Sequence, residues 1–178
     1  MLKKDQKMNQ RIIAILYVLL AVTPIKSIMA AETGSAVPAC ALTSLTDKHL
    51  YNLQQFKGKV IYVDFWASWC GPCAKSFPFM NELNRDLTDK GLQVIGVNLD
   101  ESAEDAHNFL VQYPSDFAVA ADTDEQCAKD FGVKAMPSTY LVDRNGTVRH
   151  IHLGFRSGEA AELRALVEQL LAEAPVVH

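Results

Sequence analysis

The chain has 178 residues, 49% of them hydrophobic, and a formal net charge of −4, which suits one compact domain with a substantial core once any targeting segment is set aside. It has no Lys/Arg-rich block, so its charge argues against a nucleic-acid surface, which needs clustered positive groups against phosphates, and does not favour an anionic membrane surface.

The N-terminus carries Lys3, Lys4, Lys7 and Arg11, then the apolar run Ile12 to Val22, then Pro24 and small residues around Ala30 and Ala31. This is the three-part pattern of a secretory leader. The run is shorter than the roughly 20 residues that span a bilayer. Cleavage after Ala30 is therefore expected, although Ile28 is bulkier than the residue usual two places earlier, and an uncleaved anchor extending past Lys26 is the alternative. The style of the leader is bacterial, which sends the chain to the periplasm, where thiols meet oxidising conditions. A lipidated Cys40 is argued against by Pro38 and by the distance from the apolar run. The chain divides into a leader 1–30, a Glu/Thr/Gly/Ser linker 31–36, a folded unit 37–173 and a tail 174–178.

Lys59 to Trp66 is a near-continuous apolar run of strand length, as a strand covered on both faces requires, and Leu92 to Leu99 reads likewise. Between them Phe77, Met80, Leu83 and Leu87 recur at helical spacing until Lys90 and Gly91, where a glycine just past the last turn is a usual stop. Ser102 with Asp105, and Asp122 with Glu125, have the spacing of capping boxes that open two further helices, the second ending at Gly132. Asn145-Gly146, between Thr139–Val142 and Thr147–His152, predicts a tight hairpin turn. A last helix from near Ser157 places Ala160, Leu163, Val167, Leu170 and Leu171 on one face. The order of elements gives an α/β fold, with a mixed central sheet and helices on both faces.

Cys70-Gly71-Pro72-Cys73 lies where a buried strand gives way to a helix. The first sulfur then meets the free N–H groups and positive dipole of a helix start, which favour thiolate. Cys70 is the attacking group and Cys73, one turn inside, the resolving thiol. Gly71 and Pro72 form the loop between them, Pro72 fitting the first turn because its missing N–H would have no partner there. A zinc half-site would need two more closely placed ligands, which Cys40, Cys127 and the scattered histidines do not supply, so no metal is expected. A purely structural disulfide seldom occupies such an elbow beside an exposed tryptophan, Trp69. Asp64, within the same apolar run, is costly to bury as an anion. Burial should raise its pKa and let it take the proton that Cys73 must lose, directly or through one water. The alternative is that Asp64 faces solvent on an edge strand. Of the histidines, none has a nameable partner.

Val63-Asp64-Phe65-Trp66-Ala67 running into Trp69-Cys70-Gly71-Pro72-Cys73, with Pro78 five residues on, resembles the active-site segment of the thioredoxin superfamily. The inserted stretch Asp100 to Ala121, the leader and the segment ahead of Lys59 make the chain similar to the exported TlpA/ResA-like branch. The resemblance implies a thioredoxin-like three-layer sandwich over nearly all of Val37 to Ala172, without a cofactor. It implies that Pro137, in Met136-Pro137-Ser138-Thr139, is a cis-proline facing the cysteines, that substrate backbone pairs with Met136, and that Trp69 and Pro137 form an apolar docking surface. Met136 read on its own could equally fill the core. Members devoted to cytochrome c maturation often carry an acidic residue in the inserted region, and Glu101 is the residue to compare.

In an oxidising compartment Cys40 and Cys127 most simply join each other, and closing so long a loop would stabilise the fold by roughly 4 to 5 kcal/mol. Two buried inert thiols are the alternative. The expected function is an exported thiol-disulfide oxidoreductase acting on protein disulfides as a monomer. The Gly-Pro spacer favours a reductase recharged by a membrane thiol-electron donor, with cytochrome c maturation or periplasmic thiol maintenance as its setting. An oxidase or isomerase would share every residue named, and a redox-inert binding module on the same fold is the reading from another class. A thiol peroxidase lacks its usual lone Cys on a Thr/Pro-rich loop.

Overall fold

A computed structural model describes residues 30–156 and 158–174; the leader up to residue 29, Ser157 and residues 175–178 of the tail lie outside the described residues. The strands are β1 (Ala41–Ser44), β2 (Leu50–Asn52), β3 (Val60–Trp66), β4 (Leu92–Asn98), β5 (Ala118–Ala121), β6 (Ser138–Val142) and β7 (Val148–Leu153). The helices are α1 (Gly71–Leu87), α2 (Ala103–Gln112), α3 (Gln126–Phe131) and α4 (Glu159–Ala172). The seven strands of the described residues form one sheet in the order β2-β1-β5-β4-β3-β6-β7. The central strands β3, β4 and β5 run parallel, and β6, β7, β1 and β2 join antiparallel outside them.

Every residue of β3 is buried, which explains its unbroken apolar run. A strand still alternates its side chains. Val60, Tyr62 and Trp66 enter one apolar layer with Cys70, Cys73, Phe77 and Met80 of the α1 region, Phe109 of α2, and Leu163 and Val167 of α4. Ile61, Val63 and Phe65 enter the other with Leu42, Phe131, Tyr140 and Val148. Helices therefore cover both faces, α1, α2 and α4 on one and the short α3 on the other.

Three local readings differ from the sequence pattern. Ser102 does stand before the first residue of α2, but its side chain makes no capping hydrogen bond. At α3 the residue before the helix is Glu125, in a left-handed conformation and without a cap bond. The capping is done by Asp122, whose carboxylate accepts from Cys127 N (3.1 Å) and Ala128 N (2.7 Å). The helix starts later than the box spacing assumed, so the acid reaches across a turn. The β6–β7 hairpin turns over Asp143 to Gly146, closed by Gly146 N donating to Asp143 O. Of its residues only Gly146 takes positive φ (82°), and the Asp143 side chain accepts from Asn145 N and Thr147 N.

The stretch 31–36 lies against the domain. Ala31 N donates to Asp130 O, Gly34 N to Val148 O, and Ala36 bridges Thr147. On the same side of the sheet Cys40 and Cys127 are joined as a disulfide, their Cα atoms 5.1 Å apart.

Candidate active site

Because β3 and β4 are parallel neighbours, the loops leaving them emerge side by side. Asp100, just past β4, uses this: its carboxylate accepts from Ser68 N (2.9 and 3.1 Å) and Ser68 Oγ (2.9 Å), and from Asn98 Nδ2 (2.7 Å). The turn that carries the chain from β3 to the cysteines is thereby fixed from the next strand.

Cys70 is the residue before the first turn of α1, with extended backbone (φ −87°, ψ 97°), and its Sγ accepts from Cys73 N at 3.2 Å. A sulfur that accepts a helix N-terminal N–H stands where negative charge is best tolerated. The two cysteines are disulfide-bonded with Cα atoms 5.3 Å apart. Cys70 retains 4% exposure and Cys73 none. Gly71 and Pro72 are exposed on the first turn, and Pro78 lies inside the helix.

Asp64 is fully buried. Alternation along β3 places it on the face shared by Tyr62 and Trp66, in the layer that contains Cys73. Thr139 Oγ1 donates to Asp64 Oδ1 at 2.5 Å, and Oδ2 has no hydrogen-bond partner among the described residues. Burial pushes the carboxyl up to about 7, with the Thr139 hydrogen bond pulling in the opposite direction. Tyr62, equally buried, is held as the neutral phenol by desolvation and by the nearby Asp64 charge.

The Met136–Pro137 bond is cis. Since Ser138 pairs with Phe65 across the sheet, Pro137 arrives at the C-terminal end of β3, where the cysteine turn begins. Its carbonyl accepts from Gly154 N at 2.7 Å. Trp69, 73% exposed, forms a ridge between two hollows. One, of about 480 Å³, is lined by Trp69, Met136, Val133, Ala135 and the charged Glu125, Lys129 and Lys134, among others. The other, of about 350 Å³, is lined by Cys70, Ser68, Asp105, Asn108, Phe109, Gln112 and Tyr113, among others.

The structure thus brings together Cys70, Cys73, Asp64, Gly71, Pro72, Trp69, Met136 and Pro137. It places Cys40 and Cys127 in the opposite layer. Glu101 is exposed and lines neither hollow, whereas Asp105 of α2 does. His152 does have a partner: its Nε2 lies 3.1 Å from Glu159 Oε2. As site residues Thr139, Asp100 and Asp105 escaped the sequence reading, which placed Asp105 in a capping box. The one available signal was Thr139, two residues past the proline in a strand.

A dithiol one helical turn apart at a strand-to-helix elbow, met by a cis-proline loop from the adjoining strand of a mixed sheet, is an arrangement of thioredoxin-like enzymes. The molecule is in that class, an oxidoreductase of the thiol-disulfide type. More particularly, the chain belongs to the Redoxin family, whose model matches residues 32–170. It is 38% identical over 117 residues to the thiol-disulfide oxidoreductase ResA of Bacillus thuringiensis subsp. konkukian (strain 97-27), covering 66% of this chain and 67% of that protein. It is 32% identical over 168 residues to ResA of Geobacillus kaustophilus (strain HTA426), covering 90% of this chain and 95% of that one. Among solved structures it resembles a candidate thiol:disulfide interchange protein DsbE from Chlorobium tepidum, with a TM-score of 0.77 and 41% identity, covering 80% of this chain and 100% of that one.

Proposed function

We propose that the protein is an exported reductase of protein disulfides. The observation that carries this reading is the asymmetry of the pair: Cys70 sits at the helix start with its sulfur on a backbone N–H and its surface at the opening, while Cys73 is wholly sheltered. In the reduced enzyme Cys70 thiolate attacks one sulfur of a client disulfide. A mixed disulfide forms and the client's other sulfur leaves as thiolate. Cys73 then gives its proton to Asp64 and attacks the Cys70 sulfur. The Cys70–Cys73 bond closes and the second client sulfur leaves, so the client gains two electrons and the enzyme loses two.

Trp69, Met136 and Pro137 dock the client backbone beside Cys70. The Gly-Pro spacer supports the reducing direction, with a membrane thiol donor returning the electrons. The named ResA and DsbE relatives support thiol-disulfide exchange as the chemistry, and the leader supports a periplasmic site of action on exported clients, with cytochrome c maturation or periplasmic thiol maintenance as the setting. Among the described residues no helix is long and apolar enough to cross a membrane.

Insulin reduction by the purified protein tests the chemistry. Cys70→Ser should abolish turnover, and Cys73→Ser should accumulate a mixed disulfide with client through Cys70. Turnover that survives Cys70→Ser sinks the reading. A potential near those of strong oxidants, about −120 mV, would reverse its direction.

A further inference from the structure

A buried chain of hydroxyls ends on Asp64. Thr139 has a single hydroxyl proton, and its 2.5 Å contact with Asp64 Oδ1 uses it when Asp64 is charged, because a carboxylate can only accept. The Tyr62 hydroxyl, 3.4 Å from the Thr139 oxygen, must then be the donor in that contact. In the carboxylate form the order is Tyr62 O–H to Thr139 Oγ1, Thr139 O–H to Asp64 Oδ1.

The sheet register explains why no other group competes. Asp64 pairs with Gly96 on β4 and with Thr139 on β6, so one neighbour has no side chain and the other supplies the only hydrogen bond to the carboxyl group among the described residues. The place above Gly96 is taken by Phe117 and Trp66, whose Cε2 and Nε1 lie 3.0 and 3.1 Å from where a Cβ would stand. The titratable groups brought to this layer are Tyr62 from β3 and the two cysteines from the α1 elbow. α2 and α4 contribute apolar Phe109, Leu163 and Val167 to it.

We propose that Thr139 is the positioning residue for Asp64: by holding Oδ1 it leaves Oδ2, the buried oxygen without a partner, as the atom that takes the Cys73 proton. Tyr62 orients the Thr139 hydroxyl for that task. This rests on the proposed role of Asp64 in the resolving step. The step balances as written: the S–H bond of Cys73 breaks, an O–H bond forms at Oδ2, and the sulfur's electron pair makes the bond to Cys70 while the client thiolate departs.

The test has two arms. In the oxidised protein, where neither active-site cysteine titrates, carboxyl-carbon NMR of Asp64 reads the Thr139 contact alone. Thr139→Val removes a bond that favours the charged form and should raise the Asp64 midpoint by about one unit, whereas Thr139→Ser, which keeps the hydroxyl, should leave it near wild type. Tyr62→Phe should move it in the direction of Thr139→Val by a smaller amount. In the second arm, release of client from a preformed mixed disulfide is followed against pH. Thr139→Val should be about tenfold slower below the midpoint, in step with the lost carboxylate fraction, and converge on wild type well above it. An Asp64 midpoint unchanged in Thr139→Val overturns the positioning role. A shifted midpoint with a release profile that Asp64→Asn leaves unaltered would instead overturn the proton-acceptor reading on which it rests.

Discussion

Asp64 is an acid kept where water cannot reach it, and its protonation has a cost that stability measurements can read. The folded chain holds its proton up to about pH 7, whereas an ordinary aspartate releases it near 3.8. Below the lower value both states are protonated and the fold is at no disadvantage. Between the two the folded state binds more protons than the unfolded one, so stability falls as pH rises, and above about 7 the loss is complete. Its size is about 4 kcal/mol. Urea unfolding of the oxidised protein from pH 4 to pH 8 should show this decline. Asp64→Asn should flatten it and be the more stable protein at pH 8, and an equal slope in both would refute the assignment. The unusual burial was legible from the apolar flanks Val63, Phe65 and Trp66, because a carboxylate inside a strand covered on both faces has nowhere to go. Its partner was not legible. Thr139 is 75 positions away, and only the antiparallel register of β3 with β6 brings the two together.

At the scale of the element, α1 does two jobs. Its inner face packs Phe77, Met80 and Leu83 against the sheet, and its first turn offers an N–H to the Cys70 sulfur. The second job predicts that iodoacetamide should modify Cys70 of the reduced protein at pH 7 about ten times faster than a cysteine in a short peptide, with Cys73 lagging far behind. Mass spectrometry of the partly alkylated protein distinguishes the two, and equal rates would remove the basis for assigning roles to them. The helix and β3 were readable because apolar spacing alone defines them. The capping boxes were less so. Ser102 stands at the right place without using its side chain, and Asp122 caps α3 without Glu125, since spacing fixes which residues are near a helix start but not which oxygen wins the N–H. The hairpin shows the same limit: Asn145-Gly146 marked its position, while Asp143 decided its geometry by binding two backbone donors.

For the molecule as a whole, the sheet divides labour between its faces. The reactive pair belongs to the layer under α1, and the Cys40–Cys127 bridge to the layer under α3, tying the segment before β1 to a helix 87 residues later. Closing a loop of that length restricts the unfolded chain and should stabilise the fold by about 4 to 5 kcal/mol. The double variant Cys40→Ala/Cys127→Ala should lose about that much in urea unfolding yet reduce insulin within about twofold of the wild-type rate, because neither sulfur reaches the other layer. A large loss of turnover in a folded double variant would show that the faces are coupled. The α/β class and the order of elements followed from periodicity. The packing of residues 31–36 onto β7 and Asp130 did not, because polar composition reports that a segment need not be buried, not that it stays loose.

The narrow opening at Cys70 has a kinetic meaning. With 4% of that residue accessible and its partner sealed, there is one doorway for every thiol exchange the enzyme conducts. For the proposed reductase, a client and the donor that would restore the dithiol cannot occupy it together, so each must leave before the other enters, and turnover would proceed as two alternating half-reactions that share a single landing place.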